Sequence, residues 1–147
     1  MIDGHSVSLV MPCRNESGHL ADLIEEIPDF YDEIICVSNK STDETVQVGR
    51  QIEKKNKKFR LLIDNRSAKG IGYGFAHMTG IAAAKNEYIV CADSDGTYPI
   101  EVFPQILEQM NVRNLSFVSG SRYPDKEIPP KLQLGVKILN YEIALLY

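Results

Sequence analysis

No stretch of this sequence approaches the ~20 consecutive apolar residues of a membrane-spanning helix. The residues ahead of Val7 are polar and no basic segment precedes an apolar one, so no secretory leader is expected. The expectation is a cytoplasmic protein, with peripheral contact at a membrane as a further option. Excess positive charge is also missing. Lys and Arg total 16 against 20 Asp and Glu, for a net charge of −4, which gives nucleic-acid binding no electrostatic support. The one basic cluster, Lys54, Lys55, Lys57, Lys58 and Arg60, reads as the solvated end of a helix and its loop, with a lipid headgroup or phosphate contact as the alternative. Cysteine is sparse: Cys13, Cys36 and Cys91 are odd in number and lack metal-ligand spacing. Each sits in or beside a short apolar run, so buried free thiols in a reducing compartment are expected. His5, His19 and His77 form no metal-spaced pair and are expected to be structural or superficial. Internal repeats and low-complexity segments are absent.

What remains is an ordinary globular composition, 44% hydrophobic and 24% charged over 147 residues, which suits one domain with a real core. Short apolar runs alternate with helical periodicity. Strands are expected at 7–11, 34–37, 59–63, 88–92 and 115–119. Leu20, Leu23, Ile24 and Ile27 mark a first helix, closed by Pro28. Ser41 with Glu44 reads as a capping box opening a second helix that carries Val48 and Ile52. Ile71, Phe75, Met78 and Ala82 mark a third, and Val102, Phe103, Ile106, Leu107 and Met110 a fourth. The alternation predicts an α/β fold: a mostly parallel sheet with helices on both faces.

Open parallel sheets bind ligands beyond the carboxyl ends of their strands. The fourth strand is followed by Asp93-Ser94-Asp95-Gly96-Thr97-Tyr98-Pro99. On an extended chain, acids at i and i+2 point the same way, roughly 7 Å apart. Such oxygen ligands suit Mg²⁺ or Mn²⁺, which combine one or two carboxylates with substrate phosphate oxygens. Asp-x-Asp also occurs as turn capping; its place at a strand's carboxyl end favours the metal reading. The first strand is followed by Pro12-Cys13-Arg14-Asn15-Glu16, where a helix start offers free N–H groups and Arg14 a planar donor array. Plain capping with a solvated Arg14 is the alternative. After the second strand, Asn39 has both donor and acceptor atoms suited to a base edge, against a simple turn capped by Ser41. After the third, Ala68-Lys69-Gly70-Ile71-Gly72-Tyr73-Gly74 lets backbone approach a ligand, and Lys69 suits a phosphate or base. A dinucleotide fingerprint fails there, because the glycines follow the third strand and His77 stands where the last Gly or Ala belongs. After the fifth, Arg122 of Gly120-Ser121-Arg122 suits a diphosphate, or is an exposed structural Arg.

In order and spacing, segments 7–16 (VSLVMPCRNE), 33–45 (EIICVSNKSTDET), 68–101 (AKGIGYGFAHMTGIAAAKNEYIVCADSDGTYPIE) and 118–123 (VSGSRY) resemble an inverting family 2 glycosyltransferase of the GT-A, nucleotide-diphospho-sugar transferase type. The nearest flavour is that of polyprenyl-phosphate sugar transferases such as dolichyl-phosphate mannose synthase. The resemblance implies transfer from a nucleotide-sugar donor to an acceptor, a polyprenyl phosphate among the candidates, with Mg²⁺ or Mn²⁺. It implies that Pro12, Arg14 and Glu16 line the nucleotide pocket, and that Asn39 stands where the family often has an acid facing the base. Lys69 would lie in the loop covering the nucleotide. Asp93 would approach ribose or metal, and Asp95 would hold the cation against the diphosphate. Arg122, with Gly120 and Ser121, would approach donor or acceptor phosphates.

The sequence departs from the family pattern at Ser38-Asn39-Lys40-Ser41, where Asp-Asp-Gly-Ser or Asp-Asn-Gly-Ser is common; that leaves the nucleotide open. It ends at Tyr147, before the acidic motif that supplies the base in many members, and it nominates no catalytic base. The expected organisation is a nucleotide-sugar-binding domain over 1–130, then an apolar amphipathic helix over 131–147 that begins an incomplete acceptor-side region. Leu132, Val136, Leu139, Ile143 and Leu146 form one apolar stripe there, and Leu134, Ile138 and Leu145 another. Such a surface suits a partner, a membrane surface or further protein, against packing on the chain's own sheet. A non-catalytic nucleotide- or partner-binding module is the rival functional reading. A sugar nucleotidyltransferase is disfavoured, because 12–16 contains no glycine.

Overall fold

The computed structural model describes residues 1–66, 72–96 and 98–119. Four strands, β1 (Val7–Cys13), β2 (Glu33–Ser38), β3 (Phe59–Ile63) and β4 (Tyr88–Cys91), form a parallel sheet in the order β3-β2-β1-β4. Between them run α1 (Leu20–Glu26), α2 (Thr45–Lys55) and α3 (Gly72–Ala83). A short 3-10 turn (Ile100–Val102) then leads into α4 (Phe103–Arg113). Residues Met1–Gln109 form one compact unit, and Met110 begins a second. Among the described residues no helix is long and apolar enough to cross a membrane.

Residue alternation along the strands divides the sheet into two faces. Leu9, Met11, Cys36, Phe59 and Leu61 share one; Val10, Pro12, Ile35, Val37 and Leu62 share the other. A Cβ built at Gly49 of α2 would lie 2.9 Å from the Leu61 methyls, so α2 covers the first face. A Cβ built at Gly80 of α3 would lie 2.3 Å from Val10 Cγ1 and 3.1 Å from Val37 Cγ2, so α3 covers the second. Helices therefore pack on both faces, as the near-continuous apolar strands require. β1 and β2 are buried along their whole length.

The α3 face differs from the expected stripe. Ala76 and Gly80 turn inward, while Met78 is 60% exposed, Ala82 is exposed, and Ile71 falls outside the described residues. Small side chains let this helix settle directly onto Val10 and Val37; larger residues there would hold it off. Phe75, half-buried, instead carries the Arg66 guanidinium 4.9 Å above its ring. Residues 115–119, expected as a fifth strand, carry no strand; Leu115 and Phe117 are exposed, and no ladder partner pairs with them among the described residues. Cys13 and Cys36 are buried free thiols as expected, and the hydrogen bond between them together with burial raises Cys36 well above its ordinary value. Cys91 is exposed, at the end of the edge strand β4.

Local chemistry sets the element ends. Ile27 is extended ahead of Pro28, whose ring disfavours helix in the preceding residue. Ser41 does not cap α2. Its Oγ lies 2.9 Å from Ser38 Oγ and accepts from the Asn15 N–H, while Asp43 Oδ1 accepts from the Thr45 N–H that opens the helix. At the amino-terminal end of the sheet, the Glu33 carboxylate accepts from Ser8 Oγ (2.8 Å) and the Lys85 N–H (3.1 Å) and pairs with Arg60. Arg60 also donates to the Ala83 carbonyl, tying the end of α3 to the sheet. Burial raises the Glu33 carboxyl, but the Ser8, Arg60 and Lys85 hydrogen bonds outweigh it and hold the group below its ordinary value.

Two stability predictions follow from this packing. Gly80→Ala lowers stability by roughly 1–2 kcal/mol in urea denaturation, since overpacking exceeds the gain in helix propensity; an unchanged midpoint would mean that α3 sits further from Val10. Glu33 is depressed in the fold, so the unfolded chain takes up its proton first as pH falls. Its contribution is full above the ordinary glutamate value of 4.5 and is lost as pH drops through the folded value. Denaturation midpoints at pH 7 and pH 3.5 should show a shallower acid decline in Glu33→Gln than in the wild type.

Candidate functional site

A cavity of about 600 Å³ opens where β1, β2 and β4 end. β1 contributes Pro12 and Cys13, and the turn after it contributes Arg14 and Glu16. Asn39 and Lys40 follow β2; Gly72 and Tyr73 begin α3; Asp93, Ser94 and Asp95 follow β4. Of the residues expected at the site, Pro12, Arg14, Glu16, Asn39, Asp93 and Asp95 meet in this one cavity. Lys69 and Arg122 lie outside the described residues, as do 131–147 and the expected boundary at 130.

The turn after β1 is held differently from the expectation of free helix-start N–H groups. Its amides are already used: Asn15 donates to Ser41 Oγ (3.3 Å), Glu16 to Thr45 Oγ1 (2.8 Å) and Ser17 to Asp43 Oδ2 (3.1 Å). In return the Thr42 N–H donates to Asn15 Oδ1 at 2.8 Å. Asn15 and Lys40 both sit at positive φ, 60° and 52°, in the turns this buckle joins. Asp43 is held below the usual carboxylate range by the Thr45 and Ser17 hydrogen bonds. The amides thus fix the cavity wall, which Arg14 also lines.

Asn39 is buried, and its orientation is set by its amide group. Nδ2 donates to the Asp64 carbonyl (2.8 Å) and the Arg66 carbonyl (3.1 Å), which uses both hydrogens. Those carbonyls are steady because the buried Asp64 carboxylate is gripped by Arg66 Nε and Nη2 and by the Thr79 hydroxyl, which together hold Asp64 below its usual range. Oδ1 faces the start of α3: a Cβ at Gly72 would lie 2.4 Å from it, so only glycine fits there.

The acids after β4 do not share the extended chain expected: Asp93 precedes and Asp95 lies in a turn at 94–95, which is followed by Gly96 at φ 72°, a left-handed conformation that favours glycine. Both still line the cavity. Beyond them the chain is anchored by Tyr31, fully buried, whose hydroxyl donates to the Ile100 carbonyl (3.0 Å) and whose ring meets Phe103 edge-on. Glu16 faces the same space. Burial raises its carboxyl; His19 pulls the other way, and Asp95 and Asp43 push it up again, leaving it above the usual range. Three carboxylates around one cavity are a setting that a divalent cation relieves. No group of three ligating side chains stands ready-made among the described residues. Asp93, Asp95 and Glu16 offer hard oxygen donors of the kind that Mg²⁺ or Mn²⁺ takes beside water and phosphate oxygens.

Tyr73 went unnoticed in the sequence reading. Its hydroxyl donates to Asp93 Oδ1, and its ring packs edge-on against His77 at 4.6 Å. The available signal was its place between two glycines in the first turn of a helix that begins beyond a strand's carboxyl end. Lys40 and Ser94 also line the cavity.

Comparisons with known proteins agree with this geometry. The chain is 28% identical over 130 residues to the low-salt glycan biosynthesis hexosyltransferase Agl6 of Haloferax volcanii, covering 84% of this chain and 29% of that protein. It is 28% identical over 142 residues to an uncharacterized glycosyltransferase of Mycobacterium tuberculosis, covering 95% of this chain and 60% of the relative. The chain thus spans about a third to three fifths of these relatives. Among solved structures it resembles the Pyrobaculum calidifontis mannosyltransferase PcManGT in complex with GDP-Man and Mn²⁺, with TM-score 0.60, 21% identity, and 72% of this chain and 32% of that one covered. It also resembles glucosyl-3-phosphoglycerate synthase from Mycobacterium tuberculosis in complex with Mn²⁺, UDP and phosphoglyceric acid, with TM-score 0.54, 25% identity, and 74% and 39% covered. The sheet matches the GT-A fold of these neighbours. Residues 8–142 match the model of glycosyl transferase family 2, and the chain belongs to that family.

Proposed function

We propose that this chain is the donor-binding part of an inverting glycosyltransferase that moves a sugar from a nucleotide-sugar donor to an acceptor with the help of Mg²⁺ or Mn²⁺. The observation that carries the reading is the gathering of Asp93, Asp95 and Glu16 around one cavity with Arg14 and Asn39. In the reaction, the acceptor oxygen attacks the anomeric carbon opposite the leaving group. The bond from that carbon to the diphosphate breaks, and its electron pair departs on the nucleoside diphosphate. A divalent cation, when bound, would neutralise that developing charge. Asp95 and Asp93 would hold the ion against the donor. Arg14 would donate to the diphosphate, with Arg122 and Lys69 as further donor contacts. Asn39, its amide hydrogens spent on backbone carbonyls, would present Oδ1 as an acceptor for a base N–H.

A polyprenyl phosphate is the acceptor we favour from the sequence resemblance. Its oxygen is already ionised at neutral pH and needs no base before attack. Residues 131–147 would then contact the membrane surface that carries it.

Calorimetric titration of the chain with UDP and with GDP, with and without Mn²⁺, tests the donor site. Mn²⁺-dependent binding of at least one nucleotide is expected. Asp95→Ala should weaken it by about 100-fold, since a ligand lost costs at least as much as a supporting partner, with melting temperature in the absence of ligand unchanged. Equal binding by wild type and variant would refute the metal role of Asp95.

A further inference from the structure

The Asp93 carboxylate has a partner that neither the sequence pattern nor the donor reading requires. Tyr73, in the first turn of α3, donates its hydroxyl to Asp93 Oδ1 across the cavity. The phenol is itself held from behind. One helical turn on, at i+4, His77 packs edge-on against its ring, with centroids 4.6 Å apart and planes at 80°. His77 is half-buried on that helix.

We propose that Tyr73 is a positioning residue for the cation site, holding one oxygen of Asp93 so that the other is presented to the ion or the donor ribose. This rests on the donor-site reading above. Asp93 lies between the end of β4 and the turn at 94–95, and a charge-assisted hydrogen bond from the buttressed phenol favours one of its rotamers. Partners of this kind orient ligating carboxylates and, when removed, typically weaken metal affinity 10–100-fold.

The test is Mn²⁺ affinity read by electron paramagnetic resonance of the free ion, in the presence of saturating UDP or GDP, for the wild type, Tyr73→Phe, Asp93→Asn and the double variant. Tyr73 is 54% exposed, and Phe keeps the ring against His77, so the fold is expected to hold; thermal melting checks it. Tyr73→Phe should weaken Mn²⁺ binding by about 10-fold at unchanged melting temperature. In the Asp93→Asn background it should add less than about 2-fold, because the two residues act as a unit. A merely structural role would lower the melting temperature in both backgrounds and leave the coupling at zero. Equal or tighter Mn²⁺ binding by Tyr73→Phe, beside a wild type that binds, overturns the role of Tyr73 alone. A wild type that binds no Mn²⁺ with either nucleotide overturns the donor site and this inference together.

Discussion

The site depends on the pairing of β1 with strands on both of its edges. The last rungs of those ladders, Asn39 N–H to the Cys13 carbonyl and Ala92 N–H to the Val10 carbonyl, both 3.1 Å, tie the chain ends that follow β2 and β4 to β1. A further rung, Asp64 N–H to the Ser38 carbonyl at 2.9 Å, adds the end of β3. Because all four strands are parallel, every turn that follows them opens on the same edge. Arg14, Asn39 and Asp93 are therefore neighbours although 79 positions separate the first from the last. A sheet of mixed direction would scatter them to opposite ends. Everything chemical about the cavity is a consequence of that shared edge.

Polar side chains then keep the edge rigid. The turns after β1 and β2 are laced together by Asn15, Ser41, Asp43 and Thr45, and the segment after β3 is gripped by the Asp64–Arg66–Thr79 cluster. These groups spend their donors and acceptors on one another, so they shape the cavity without reaching into it. Glu16, Asp93 and Asp95 bring carboxylates to the cavity lining. Such a division suits a pocket that must not collapse around a highly charged ligand before the ligand arrives.

Much of this was legible from residue order alone. Unbroken apolar runs such as residues 7–11 and 34–37 announce strands buried on both faces, and their alternation with helical periods allows little besides a parallel sheet. The acids at 93 and 95 stand out because they follow such a run. What could not be read were features that depend on approach distance or on partners remote in sequence. The inward side of α3 is its smallest residues, Ala76 and Gly80, because a backbone resting on Val10 and Val37 has no room for more; periodicity of large apolar residues pointed to the opposite side. Ser41 has the spacing of a cap, yet its hydroxyl lies against Ser38 and accepts from the turn after β1, a partner that only the sheet brings near. Tyr73 meets Asp93 for the same reason.

The claim on which the functional reading turns is that the acids beyond β4 hold a cation against a nucleotide's diphosphate. A crystal of this chain grown with Mn²⁺ and UDP or GDP, measured at the manganese absorption edge, addresses it directly. An anomalous peak at coordination distance from an Asp95 carboxylate oxygen and from the diphosphate is the expected result. A nucleotide bound elsewhere, or one seated in the cavity with no anomalous peak beside Asp93 and Asp95, would contradict it.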